Sequence, residues 1–309
     1  LAGREAAAGT LTSASTGEQR GAGLDQCSAA ELQRLRSLNA AYRARFGFPF
    51  VIAVKGLSRY QIMDAIEARL GNARAFVARL LERHPAARVV DVACGTGLYA
   101  MAFAQAGVTH VIGADLSAGM LDAARRRAEG LGLDITWVQA PMQRLAHALD
   151  AATAPAAALS PADGIVCLGN SIPHLLTRRD LARTLCGFRK LLAPNGLLAL
   201  QLLNYERVLK RAERIVEINR AGDLEFVRFY DLPTRPHGTL TFNVLRIEWT
   251  PDGPRRTLDA TVLRPYPVCE LRNALAESGF RDVQTYGGLA FQPYDADTSE
   301  TVLLLAARQ

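Results

Sequence analysis

The first segment of the chain has apolar residues at helical spacing. Ser28 and Glu31 have the spacing of a capping box, which marks the start of a helix. The apolar residues that follow them lie three or four positions apart: Leu32, Leu35, Leu38, Tyr42 and Phe46. This pattern predicts an amphipathic helix over 29–46, ended by Gly47 and Pro49. A second capped helix is predicted from Ser58 to Leu70.

The pattern changes near Asn72. Short all-apolar segments then alternate with helical ones, which is the order of a parallel sheet flanked by helices. We therefore predict an α/β fold with a Rossmann-like sheet over 73–309, preceded by a small all-α segment over 1–72. The Ala-rich stretch from Ala146 to Pro161 has no periodicity and is interpreted as a surface insertion.

The predicted helices of the second region cover 74–83, 98–106, 118–130, 179–192, 206–211 and 268–278. Its predicted strands cover 88–93, 109–114, 135–139, 164–168, 197–203, 214–219, 224–230, 239–249, 256–263, 281–286 and 301–307.

Composition narrows the function classes. The chain has 309 residues, 49% of them apolar and 21% charged, as in globular domains. Its net charge of +6 comes from dispersed arginines without a basic block, which argues against nucleic-acid binding. Without a signal peptide or an apolar run of ~20 residues, we expect a cytoplasmic protein with no membrane partner. Five cysteines lack metal-ligand spacing, so no metal site is expected.

A glycine-rich turn follows the strand predicted at 88–93. Gly95 and Gly97 open the next helix, where a backbone without Cβ atoms lets a ligand approach. The third glycine of the dinucleotide fingerprint is missing. Asp115 lies twenty positions after Gly95, at the end of the next predicted strand, where an acid can accept both ribose hydroxyls of an adenosine.

These two runs, 91–97 and 113–121, resemble motifs I and II of class I S-adenosylmethionine (SAM)-dependent methyltransferases. The resemblance implies SAM as cofactor, with Gly95 and Gly97 against its methionine part and Asp115 on its ribose. It also implies that Met120 covers the adenine and that Asp91 supports the turn and reaches the SAM ammonium group. The rest of the implied cofactor set is Ala93, Leu116, Met142 and Leu168. Pro141 stands where such families usually have an acid that bonds the adenine amino group.

The segment 167–175 follows the strand predicted at 164–168, at the sheet edge where open α/β sheets bind ligands. Together with 194–196 and 204–205, it is similar to the glycine and sarcosine N-methyltransferase branch. This implies a small amine or amino-acid acceptor. The candidate substrate-binding residues are Asn170, Ser171, Asn204, Tyr205 and Arg228, and Tyr230, Arg264 and Tyr266 are further candidates for the pocket wall.

Methyl transfer needs an in-line approach of the acceptor, so positioning supplies much of the catalysis. His174 and Tyr205 are the candidate catalytic residues for this step. The alternative for His174 is a structural hydrogen-bonding role in its loop.

The run from Leu38 to Val54 resembles the 2-oxo-4-hydroxy-4-carboxy-5-ureidoimidazoline (OHCU) decarboxylases, an all-helical family of urate catabolism. The likeness covers about 1–72 and implies that Ser15, Glu18 and Gln19 bind the substrate, with Glu18 a remnant of the catalytic set. The family's catalytic histidine lies just before the Leu1-Ala2-Gly3 with which this chain begins, so we expect a fragment without decarboxylase activity of its own. A natural fusion and a gene-model error both explain the join.

Three hypotheses follow. The leading one is a SAM-dependent methyltransferase acting on a small molecule. The second is an OHCU decarboxylase of purine catabolism that is truncated or fused here. The third is a non-catalytic SAM-binding protein, which is suggested by Pro141 at the position of the usual acid. The expected partner is a small-molecule substrate, and the oligomeric state is left open.

Overall fold

The structure is a computed structural model that describes residues 28, 30, 31, 33, 73–151, 161–212, 214–221, 223–235 and 238–309. The capping box of the first segment is confirmed. The Ser28 backbone N–H donates to Glu31 Oε2 at 2.8 Å, and the Glu31 backbone N–H donates to Ser28 Oγ at 3.3 Å. The remaining predictions for 1–72, including the roles of Ser15, Glu18 and Gln19, lie outside the described residues.

Seven of the described strands form one sheet, which we call the main sheet. Its strands are β1 (Arg88–Val92), β2 (His110–Asp115), β3 (Thr136–Gln139), β4 (Ala162–Cys167), β5 (Leu192–Leu203), β10 (Phe280–Tyr286) and β11 (Thr301–Arg308). Their order across the sheet is β10-β11-β5-β4-β1-β2-β3. β1 to β5 run parallel, whereas β11 is antiparallel to both β5 and β10. The central strands are all-apolar because helices cover both faces of such a sheet.

The strand order reverses direction at β1. The chain moves outward from β1 through β2 to β3, then returns to the other side of β1 with β4. Open α/β sheets bind ligands outside the carboxyl ends of the strands at such a switch point. The glycine-rich turn directly follows β1, so it lies at this position in the fold.

Among the described residues of 73–309 there are seven α-helical segments, besides two short 3-10 turns at Met142–Arg144 and Ile172–His174. They are α1 (73–83), α2 (Leu98–Gln105), α3 (Ala118–Gly130), α4 (Leu145–Ala151), α5 (Arg178–Leu191), α6 (Tyr205–Arg211) and α7 (Val268–Glu277). Ser117 caps α3 by accepting from the Met120 N–H, and Thr177 caps α5 by accepting from the Asp180 N–H. No helix of the described residues is long and apolar enough to cross a membrane.

The core of the main sheet is built from both helices and strands. Phe76 and Val77 of α1 and Phe103 of α2 pack in one buried cluster with Val166 of β4 and Leu305 of β11. α1 therefore belongs to the hydrophobic core of the main sheet.

The four strands predicted between 214 and 263 form a separate antiparallel sheet, which we call the second sheet. Its order is β6-β7-β8-β9, with β6 at Ile215–Ala221, β7 at Leu224–Asp231, β8 at Leu240–Thr250 and β9 at Gly253–Leu263. By their contacts, the described residues of 215–230 and 242–260 form one compact unit. Those of 73–214, 231–241 and 261–309 form another, which holds the main sheet.

Two sequence-based expectations are corrected. The stretch from Ala146 was interpreted as a surface insertion, but Leu145–Ala151 is helix α4. Leu145 and Leu149, one turn apart, are buried, a helical pair that the alanines around them hide. β5 begins at Leu192 rather than 197. Its pairing with β4 is irregular, because residues 193–196 of β5 lie opposite the single residue 163 between the paired residues Ala162 and Gly164.

Candidate active site

The two glycines after β1 are needed for different reasons. Gly95 has a φ of +54°, and beyond its chain neighbours no described atom lies within 4 Å of the position that a Cβ would take. Gly97 has a φ of +79°, but a Cβ there would lie 2.5 Å from Trp137 Cη2. Gly97 is thus required by packing inside the protein, whereas Gly95 borders open space at the switch point.

Trp137 of β3 packs against the glycine-rich turn. A Cβ on Gly113 of β2 would lie only 2.3 Å from Trp137 Cζ3, so the indole packs directly on the Gly113 backbone as well as on Gly97. Sequence reasoning missed this residue. The available signal was that Gly113 and Trp137 pair across β2 and β3, a register in which a glycine makes room for a large ring.

Asp115, at the end of β2, holds the turn with both carboxylate oxygens. Oδ2 accepts the Gly95 N–H at 2.8 Å, and Oδ1 accepts the Ser117 N–H at 2.9 Å. An ionised carboxylate has about four acceptor positions, so two remain for further donors. Asp115 therefore joins the glycine turn to the start of α3 and keeps capacity to accept ribose hydroxyls.

Asp91 is buried beneath the turn. Its Oδ2 accepts the Ala100 N–H at the start of α2 at 2.9 Å. Burial raises the pKa of Asp91 from an ordinary 3.8 to about 7, the Ala100 N–H opposes that rise, and the charge of Asp115 adds to it. Asp91 therefore holds the start of α2, and its predicted support of the turn and contact with a SAM ammonium group stay predictions.

Exposed apolar side chains border the turn on the β2 side. Leu116 is 67% exposed and Met120 is 47% exposed, although both follow directly from a buried strand. Ala93 and Met142 are partly buried, and Leu168 at the end of β4 is buried. Two large apolar side chains left in solvent beside a ribose acceptor are suited to packing against a flat aromatic base.

Pro141, at the position of the missing acid, precedes the 3-10 turn Met142–Arg144. The neighbouring Ala140 N–H donates to the Asp115 carbonyl at 3.0 Å, and Gln139 Nε2 donates to the Leu116 carbonyl at 3.2 Å. The end of β3 is therefore tied to the end of β2 by backbone and amide contacts.

The second group of predicted residues lies where β4 and β5 end. Asn170 has a left-handed φ of +67°; its Nδ2 donates to the Tyr205 hydroxyl at 2.8 Å, and its Oδ1 accepts the Leu203 N–H at 3.0 Å. The Gly169 N–H donates to Gln201 Oε1 at 2.8 Å. Tyr205 is buried, so the structure brings Asn170 and Tyr205 together as a hydrogen-bonded pair. Gln201, a polar residue within the apolar strand β5, was missed by sequence reasoning.

Asn204 is also buried and links α6 to the loop before β11. Its Nδ2 donates to the carbonyls of Ala296 and Ser299 at 2.9 Å each, and its Oδ1 accepts the Arg207 N–H at 3.3 Å. The described hydrogen bonds of Asn204 thus fasten the scaffold, and its predicted contact with a substrate stays untested.

The loop that carries His174 is fixed from two sides. The Arg264 N–H donates to the Pro173 carbonyl at 2.8 Å, and the Tyr266 hydroxyl donates to the Leu175 carbonyl at 2.5 Å. Burial raises the pKa of Tyr266 to about 12, so this hydroxyl stays protonated as a donor. Ser171 Oγ donates to the Leu168 carbonyl. His174 itself is exposed, and partial burial lowers the pKa of its imidazole.

Arg228 lies in the second sheet, in a different compact unit from the residues above. Its Nη1 pairs with Glu217 Oε2 at 3.1 Å. Its predicted role in substrate binding stays a prediction.

Two protein families match this chain. Residues 89–196 match the family described as methyltransferase domain, and residues 1–88 match the OHCU decarboxylase family. Both resemblances expected from the motifs are confirmed. The decarboxylase match extends over α1, which packs in the core beneath the methyltransferase domain.

Curated relatives of both kinds are similar to this chain. The glycine/sarcosine N-methyltransferase of Parasynechococcus marenigrum (strain WH8102) is 35% identical over 144 residues, which cover 45% of this chain and 48% of that protein. The OHCU decarboxylase of Amia calva is 46% identical over 72 residues, which cover 23% of this chain and 41% of that protein. The chain thus spans about half the length, or less, of these two relatives.

The crystal structure of a SAM-dependent methyltransferase from Clostridium acetobutylicum ATCC 824 superposes with a TM-score of 0.64. The match covers 81% of this chain and 98% of that one, at 12% identity. At such low identity the likeness concerns the fold alone. The predicted Rossmann-like α/β fold is confirmed, with the sheet of SAM-dependent methyltransferases.

Proposed function

We propose that this chain is an enzyme that transfers a methyl group from SAM to a small molecule, with an amine or amino acid as acceptor. The observation that carries the proposal is the open space beside Gly95 at the switch point, where the Gly95 N–H donates to the Asp115 carboxylate. Leu116 and Met120, which follow Asp115 in sequence, are exposed. A Cβ on Gly95 would extend into this space, so the turn fits a ligand pressed against its backbone. The methyltransferase domain match and the N-methyltransferase relatives support the reaction class.

The residues present suit SAM as cofactor. Asp115 has acceptor positions left for the two ribose hydroxyls after its bonds to Gly95 and Ser117. Met120 and Leu116 would pack on the adenine, with Met142 completing that side. The methionine part would lie along Gly95 and Gly97 toward Ala93 and Leu168. Asp91 acts as a positioning residue, because its carboxylate fixes the start of α2 below the turn.

When bound, SAM supplies an electrophilic methyl group on a sulfonium centre. The protein then has to hold the acceptor in line with that methyl, and the fixed loop 169–175 provides rigid groups for this task. His174 lies on this loop, and desolvation lowers the pKa of its imidazole, which favours the neutral form. A neutral imidazole can accept a proton from an ammonium acceptor before transfer. Asn170 and Tyr205 are hydrogen-bonded to each other, so we propose that they fix the conformation and orientation of the loop.

A second candidate function belongs to the N-terminal segment. The match of residues 1–88 to the OHCU decarboxylases favours decarboxylation of OHCU as the alternative to the inactive fragment expected above. The resemblance assigns substrate binding to Ser15, Glu18 and Gln19. Incubating the chain with OHCU, beside a Glu18→Ala variant, tests it. Decarboxylation that Glu18→Ala abolishes would support this function, and no turnover by the parent chain would reject it. A small-molecule partner and a cytoplasmic location complete the proposal.

Calorimetric titration of SAM tests the methyltransferase proposal. Gly95→Arg fills the space beside the turn and should abolish saturable binding. Gly132→Arg is the matched control, because Gly132 also has a positive φ, +65°, and an open Cβ position, at the far end of α3. This control should bind SAM like the parent chain. No binding to the parent would overturn the proposal.

A second step separates catalysis from mere binding. The parent chain is incubated with methyl-labelled SAM and a panel of small amines and amino acids, and labelled product is measured. Label transferred to an amine supports the enzyme. SAM binding without any labelled product across the panel would instead favour the non-catalytic SAM-binding protein.

A further inference from the structure

On the edge strand β6 of the second sheet, apolar side chains are exposed and a polar side chain is buried. The apolar residues Val216 and Ile218 are 46% and 53% exposed. Asn219 is only 5% exposed, although it lies on the edge strand between those exposed neighbours and Arg220. Successive strand residues point to opposite faces, so the polar face of β6 is the covered one. A covered face is normally the apolar face, and the reversal calls for a polar occupant.

The pairing of β6 with β7 assembles four side chains on that covered face. Glu217 lies opposite Arg228, and Asn219 lies opposite Phe226. Directly paired residues share a face, as do residues two apart on one strand. Glu217, Asn219, Phe226 and Arg228 therefore form one block, which we call the polar face.

The side-chain carbonyl oxygen of Asn219 lacks a hydrogen-bond donor in the described structure. This Oδ1 atom is buried and has no hydrogen-bond partner in the structure. A buried acceptor without a partner costs about 1–3 kcal/mol, so such groups are rare in folded proteins. An unpaired acceptor at this position marks a place where a ligand can supply the missing donor.

The surroundings of Asn219 select the kind of donor. Glu217 carries a carboxylate of which only Oε2 is bonded to Arg228 Nη1, at 3.1 Å, and its side chain is still about one third exposed. Two residues apart on a strand, the two side chains are separated by about 6.6 Å at their Cα atoms. The Arg228 guanidinium lies 5.8 Å from the centre of the Phe226 ring and balances the Glu217 charge. The face thus offers two oxygen acceptors beside an aromatic edge, with no free positive charge in its centre.

We propose that the polar face is a binding site for the amine or ammonium group of a small molecule, which donates to Asn219 Oδ1 and Glu217 Oε1. The site is built within the second sheet alone. The proposal is independent of the proposed function, because the binding needs no cofactor.

Saturation-transfer NMR on the full chain without SAM tests this site. Ethanolamine is the amine probe, and acetate is the probe that would bind through Arg228 if the face recognised anions instead. We expect saturable ethanolamine binding and none of acetate. Acetate binding with no ethanolamine binding would overturn the proposal, as would the absence of both.

The decisive variant is Asn219→Leu, which removes the amide and keeps the number and branching of the side-chain heavy atoms. It should weaken ethanolamine binding about tenfold or more. It should also raise the melting temperature, because an unsatisfied buried acceptor is replaced by an apolar group; a structural asparagine would not give this combination. Ile218→Leu, on the opposite face, is the matched control and should bind ethanolamine like the parent chain. Unchanged ethanolamine binding in Asn219→Leu would reject the site.

The amine site and the proposed SAM site can be tested independently. Gly95→Arg should lose SAM binding and keep ethanolamine binding, whereas Asn219→Leu should do the reverse. Loss of both ligands in either variant would contradict the assignment of two separate sites.

Discussion

The carboxyl ends of β1 and β2 differ from those of β4 and β5, although both belong to the same edge of the main sheet. After β1 and β2 the structure leaves space beside Gly95 and exposes Leu116 and Met120. After β4 and β5 the polar side chains form hydrogen bonds within the protein. Asn170 donates to the Tyr205 hydroxyl, and Gln201 accepts the Gly169 N–H. The first region has the open space that the proposed cofactor site requires, and the second has side chains hydrogen-bonded within the protein.

This difference separates residues that a sequence motif places together. Asn204 and Tyr205 are polar residues at a strand end, which makes them candidates for substrate contact, yet both are buried and bonded within the protein. Substitutions at the first region should therefore change ligand affinity, and substitutions at the second should mainly change stability.

The largest effect is expected from Asp91 and pH. Its folded pKa of about 7 lies above the ordinary 3.8, so the folded state holds a proton that the unfolded chain releases between these values. Stability from this group is fully present below pH 4 and is lost as pH rises through 7, on the order of 4 kcal/mol in total. Asp91→Asn keeps an oxygen for the Ala100 N–H and removes the titration. Urea unfolding should show the variant gaining on the parent between pH 5 and pH 8. A constant difference across that range would contradict the raised pKa.

Asn204→Ala tests the scaffold role of the β5 end. The variant loses the described bonds of a buried amide and leaves the carbonyls of Ala296 and Ser299 without their donor. We expect a loss of about 2–3 kcal/mol in the free energy of unfolding, measured in urea. The SAM affinity of the folded variant should stay within about threefold of the parent. A large loss of SAM affinity with full stability would place Asn204 in the ligand site instead.

Gly113→Ala tests the packing under the open turn. A Cβ would lie 2.3 Å from Trp137 Cζ3, so the indole must shift, at a cost of about 1–3 kcal/mol. Gly119→Ala is the control, because Gly119 lies in α3 with open space around its Cβ position, and alanine there should be neutral or slightly stabilising. Thermal unfolding measures both. Equal melting temperatures for the two variants would show that the ring does not rest on Gly113.

Tyr205→Phe should have the smallest effect. It removes the hydroxyl bonded to Asn170 and keeps the ring packed, which should cost about 1 kcal/mol in urea unfolding. If Tyr205 only orients the loop, methyl transfer should fall modestly and keep its pH profile. A complete loss of transfer at full SAM affinity would assign the hydroxyl a direct part in the reaction.

The sequence predicted the alternation of strands and helices because buried parallel strands are all-apolar and their helices amphipathic. It also located the glycine turn and Asp115, since both are read from local order along the chain. It missed α4, where alanines mask the buried pair Leu145 and Leu149. Trp137 and Asn219 matter through partners on other strands or through a missing partner, and spacing along one chain does not contain that information.

The position of β11 has a consequence for synthesis on the ribosome. Residues 301–308 pair with both β5 and β10, and the middle of the strand is buried. The strands made before it therefore keep an unpaired edge at β5 until these residues emerge. A nascent chain at that stage exposes an apolar strand edge, which is the kind of surface that chaperones bind and that aggregates form from. The main sheet can be completed only after residue 308 has been translated.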